Sequence, residues 1–147
     1  LAMESLVKAC IFFQIFRLPQ VVGVSNSGKI LINYFYDAII NTRELVIQRN
    51  AIRNFIDVTD VISLTSAICD SKKFINSTIN IASTRSDPVT RILEIFEGLI
   101  GQKALTHYID GGSSYFVDTK IVEEFNKTLG IVFDDQYLPR VIQKYYG

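Results

Sequence analysis

Short β-rich runs alternate with helical stripes along the whole chain, and that alternation constrains the fold more than any single motif. The runs are "FQIFRLPQVV", "ELVIQ", "RNFIDV", "STINIAS" and "KALTHYI", dense in the branched and aromatic residues that suit a pleated strand. The first is interrupted at Pro19, and the third is read as a polar–apolar alternation around Phe55, with Arg53 and Asp57 to either side. Between the runs, apolar side chains recur at helical spacing: Ile30, Leu31, Tyr34, Phe35, Ala38 and Ile39, then Val61, Ile62, Leu64, Thr65 and Ile68. Thr59 or Asp60 would cap the second of these helices. "SDPVTRILEIFEGLIGQ" has the clearest limits, with Asp87 suited to the N-cap, Pro88 to the first turn and Gly101 to the stop. A further helix is expected over 118–129, ended by Gly130, and a short one in "QYLPRVIQKYY". Residues 1–10 read as the tail of another. This order predicts a mixed α/β protein.

The 147 residues suffice for one domain with a real core, and 48% hydrophobic with 20% charged residues is a globular balance. Fifteen basic and fifteen acidic residues cancel, which argues against a general nucleic-acid or membrane-surface binder. No apolar run reaches the length of a membrane span. Cys10 and Cys69 each sit in an apolar helical pattern and are expected to be buried free thiols, which points to the cytoplasm.

"GVSNSGKI" at 23–30 reads G-x-x-x-x-G-K after a strand-like run. A P-loop needs a Ser or Thr hydroxyl next, to hold Mg²⁺, and Ile30 has no oxygen to offer. A turn with a lysine at a helix start is the better reading. His107 is the single histidine, no Cys/His/Asp/Glu grouping has metal-ligand spacing, and there is no G-x-S-x-G elbow. Local chemistry alone declares no reaction.

The order of the pieces says more. "FRLPQVVG", a helix, "ELVI…IRNFIDVTDV", "INIASTRSDPVTRILEIFEGLIG" and "YFVDTKIVEEFNKTLGI" together resemble the C-terminal half of NAD-dependent sugar-nucleotide epimerases and dehydratases, the extended short-chain dehydrogenase/reductase family. The resemblance covers essentially the whole chain. It implies a C-terminal remnant of a Rossmann fold, residues 1–27, plus the small mixed α/β substrate-binding domain, residues 28–147. The family's Gly-rich dinucleotide fingerprint and its Y-x-x-x-K acid–base pair do not occur in these residues. The resemblance thus implies a fragment with no catalytic residue of its own and no tight cofactor binding, although the full-length enzyme uses NAD or NADP. Non-catalytic binding of a nucleotide sugar, or a role in assembly, is the alternative.

Carried over position by position, the resemblance implies that Leu18 and Pro19 line the nicotinamide side of the cofactor cleft. Gln20 stands where an Asn usually meets the substrate. Lys29 and Ile30 open the substrate helix, with Lys29 facing a diphosphate. Val46 and Gln48 flank the nucleotide base. Arg53 holds the diphosphate, where a guanidinium fork fits phosphate oxygens. Asp60 is expected to cap its helix and to tie down the loop around Asn80. "HYIDGGSS" lacks a second substrate arginine, leaving His107 or Tyr108 closest. The partner implied is a nucleoside-diphosphate sugar, and a homodimer is expected, with Leu6, Val7 and Cys10 on a sticky face.

Overall fold

The computed structural model describes residues 2–25, 27 and 30–147. Pro19 splits the first β-rich run as expected, since proline has no N–H to give a ladder. The run becomes β1 (Gln14–Arg17) and β2 (Gln20–Val22). β1 pairs in parallel with β5 (Ser77–Asn80), whereas β2 pairs in parallel with β4 (Ile52–Asp57). The break at Leu18–Pro19 therefore carries the chain from one sheet to another. β6 (Ser86–Pro88) pairs antiparallel with β4, and β3 (Leu45–Gln48) pairs in parallel with β7 (Thr106–Ile109).

Two hydrophobic clusters form among the described residues. α2 (Leu31–Ile40), α4 (Val89–Ile100) and α6 (Tyr137–Tyr146) enclose the first, with Phe35, Phe55, Phe96 and Ile142 in it. α3 (Val58–Ser71) and α5 (Lys120–Phe125) cover the second, which holds Ile56, Leu64, Ile68, Ile79, Ile81 and Val122. β4 runs between them. Its residues Asn54–Asp57 are all buried, so the alternation expected of "RNFIDV" is lost. A strand covered on both faces has no solvent side to keep polar.

Other boundaries also move. The cap of α3 is Asp57, whose Oδ1 accepts from Thr59 N at 2.9 Å, rather than Thr59 or Asp60. α4 starts at Val89 with Pro88 at the N-cap position. Asp87 belongs to β6 and pairs with Arg91 instead. Gly101 does end α4, with φ +73°. α5 is shorter than expected and gives way to turns that end at Gly130, φ +69°. Both cysteines are exposed, not buried. Cys69 follows Ile68 around α3, and one step of about 100° carries it off the buried stripe. The first helix, α1 (Ala2–Val7), buries none of its residues. No helix among the described residues is long and apolar enough to cross a membrane.

Candidate functional site

The β2–β4 pair sets two of the expected residues on one face. Gln20 is opposite Phe55 in the register, and Arg53 precedes Phe55 by two, so the pleat turns all three the same way. Arg53 is half-buried. Its Nη1 donates to the carbonyls of Ile52 and Ser113, at 2.8 Å each. Its Nε and Nη2 meet no acceptor among the described residues. One nitrogen thus anchors the guanidinium, and the two-pronged edge that suits an oxyanion is left open.

The base of this anchor is built by glycine. Asn50 N donates to Gly111 O and Ile52 N to Ser113 O, at 3.0 and 3.2 Å. Gly112, at φ +123°, lies so close to the β3–β4 turn that a Cβ there would sit 2.3 Å from Ala51 N. Only glycine permits that approach.

On the neighbouring sheet, Leu45 and Ile47 enter the core while Val46 and Gln48 face outward. Val46 is paired with the exposed His107, and Gln48 with Ile109. Sequence reasoning missed Arg49 at the end of β3. Its guanidinium lies 4.9 Å from the Tyr108 ring centroid and 3.9 Å from Asp110. It is a second arginine close to where the resemblance left one wanting, and only the fold brings it there.

Leu18 and Pro19 line a groove of about 340 Å³ together with Asn80 and the segment Tyr115–Val117. The same segment lines a second groove of about 590 Å³, whose other wall includes Asn54, Ser83, Ser86 and Lys120. Asn54 is fully engaged there, donating to Ser83 O and Arg85 O and accepting from Ser83 N. Ile30 stands at the N-cap position of α2, with its N–H donating to Ser27 O at 3.3 Å. Lys29 lies outside the described residues.

Asp60 neither caps α3 nor reaches Asn80, whose Nδ2 donates to Asp118 O. It accepts instead from Tyr137 Oη at 2.6 Å, and that hydroxyl accepts from Asp57 N. Burial pushes the Tyr137 hydroxyl well above its ordinary range, so it remains a donor. Asp57, buried beside it, accepts from Lys144 Nζ at 2.8 Å and Tyr145 Oη at 2.7 Å. Burial pushes the Asp57 carboxyl up, and these partners with Thr59 more than undo it, leaving it lowered. The Asp60 carboxyl is raised, by burial first and by the Asp57 charge, against the lowering effect of the Tyr137 bond. This network fastens α6 to the end of β4.

No protein-family model and no curated protein matches the sequence. Solved structures do match the fold. UDP-glucuronic acid 4-epimerase from Bacillus cereus, in complex with UDP-glucuronic acid and NAD, superposes with a TM-score of 0.71 at 19% identity. The match covers 90% of this chain and 43% of that one. The chain has the fold of part of an NAD-dependent sugar-nucleotide epimerase. dTDP-glucose 4,6-dehydratase from Bacillus anthracis, in complex with NAD, gives 0.66 at 17%, covering 88% of this chain and 43% of that one. UDP-glucose 4-epimerase from Thermotoga maritima, with UDP-glucose, gives 0.66 at 14%, covering 97% and 50%. The chain therefore spans about half the length of these epimerases and dehydratases, and the mixed α/β fold expected from the sequence is the one observed.

Proposed function

We propose that this chain is the substrate-binding, C-terminal portion of an NAD-dependent nucleoside-diphosphate-sugar epimerase or dehydratase. The observation that carries the reading is the open Nε/Nη2 edge of Arg53, on the same sheet face as Gln20, in a fold shared with enzymes crystallised with UDP-sugars and NAD. In this reading Arg53 takes the diphosphate, Gln20 meets the substrate by its amide, and Val46 and Gln48 flank the base. His107 and Arg49 border the same sheet, and Lys29 adds a positive charge. Leu18 and Pro19 face the nicotinamide of NAD or NADP. The dinucleotide itself and the hydride chemistry belong to the other half of the longer enzyme, so residues 1–27 go with its Rossmann domain and 28–147 with the substrate domain. The exposed Leu6, Val7 and Cys10 suit contact with a second copy.

Calorimetry with UDP-, GDP- and dTDP-sugars tests the assignment. At least one binds, and Arg53→Ala weakens it by about 10- to 100-fold, as expected for a charge-assisted pair of hydrogen bonds worth ~1.5–3 kcal/mol. No binding to any, or no loss on mutation, refutes it.

A further inference from the structure

Residues 114–117 form a strap. Its first end is fixed at Ser113, whose carbonyl accepts from both Ile52 N and Arg53 Nη1, with Gly112 packed on the Asn50–Ala51 backbone behind it. Its other end is fixed at Asp118, whose carbonyl accepts from Asn80 Nδ2 and whose Oδ1 accepts from Lys120 N. Among the described residues, none of Ser114, Tyr115, Phe116 and Val117 makes a hydrogen bond. Their side chains are apolar where they matter most. Phe116 is 93% exposed and Tyr115 47%, and both line the two grooves described above. A phenyl ring so open to water beside a groove gains by closing on whatever fills it.

Arg53 bonds Ser113, where the strap begins, through Nη1 and carries the open anion edge on Nε and Nη2. We propose that Arg53 couples them: an anion held on Nε and Nη2 fixes the guanidinium plane, and Nη1 then fixes Ser113 and sets the strap over the grooves. This rests on the reading that Arg53 takes the diphosphate, and it adds that the diphosphate orders the strap. The planar guanidinium is essential, because its five donors lie in one rigid frame. A lysine keeps the charge and loses the frame. By linkage, the strap and the anion site must then influence each other equally.

The test is amide hydrogen exchange at residues 114–117 of the full 147-residue chain, without ligand and with saturating UDP or inorganic pyrophosphate. Binding is measured in parallel by calorimetry. Both probes are expected to slow strap exchange by about tenfold, within the usual range of coupling between sites. Arg53→Lys is expected to bind UDP more weakly and, at saturation, to leave strap exchange unchanged. Binding to the wild type without protection of the strap overturns the coupling while leaving the substrate reading intact. Protection by UDP but not by saturating pyrophosphate also overturns it, since the base or ribose would then be the cause. Protection that survives in saturated Arg53→Lys overturns the role of the fork. If neither probe binds the wild type, the substrate reading itself falls and the coupling with it.

Discussion

The two terminal helices are treated in opposite ways. α1 has Met3 and Leu6 at 79% and 74% exposure, and the segment after it leaves Ile11 and Phe12 at 83% and 75%. α6 is far richer in polar side chains, yet Leu138, Val141 and Ile142 are buried and Asp57 and Asp60 bind three of its others. Apolar content did not decide which helix was covered. α6 keeps its apolar residues on one stripe and carries polar groups where β4 and α3 can receive them. α1 is joined to β1 by an ion pair at the surface, Glu4 to Arg17.

Substitutions in the two regions probe this contrast. Ile142→Ala should lower stability by ~2–5 kcal/mol, from lost burial plus the cavity left behind. Leu6→Ala should stay within ~0.5 kcal/mol. Urea unfolding of the two variants compares them directly, and equal losses would erase the distinction.

Asp57→Asn should cost ~1.5–3 kcal/mol through its weakened bonds to Lys144 and Tyr145. The same network sets a pH dependence. The folded state lowers the Asp57 carboxyl, so its stabilisation is present at neutral pH and is lost as pH falls below 3.8 through the folded value. Asp60 has the opposite sign. Its carboxyl is raised in the fold, so protonating it as pH falls toward 3.8 favours the folded state. Asp60→Asn removes that offset, and its melting temperature should fall more steeply on acidification than that of the wild type. Parallel profiles would show that Asp60 does not titrate in this way.

The smallest effect on stability is expected at the other end. Phe12→Ser should leave the urea midpoint unchanged while reducing self-association in light scattering. A wild-type chain that stays monomeric at high concentration would count against the second copy proposed for this face.

The strand–helix order was legible because burial imposes its period on the sequence, and Pro19 and Gly101 were legible because their backbones admit few conformations. Asp57 as a cap was not, because it ends a strand that reads as ordinary alternation until both its faces are covered. Cys69 misled because an apolar neighbourhood in sequence spans all sides of a helix. In the candidate site, Arg53 and Gln20 could be named from the resemblance, and the register places them on one face. Arg49 could not be, since its place beside Tyr108 depends on a parallel pairing of segments about sixty residues apart. Nor could Tyr115 and Phe116, set in a run of glycine and serine that reads as a turn. Their part depends on what the turn leans over.

Phe55 and Ile56 are adjacent in β4, and one enters each hydrophobic cluster. Neighbouring side chains on a strand cannot move apart, so whatever loosens one cluster tugs on the other within a single peptide unit. The molecule should therefore melt as one cooperative body, and a disturbance on the α6 side should reach the Leu18–Pro19 groove without a long relay.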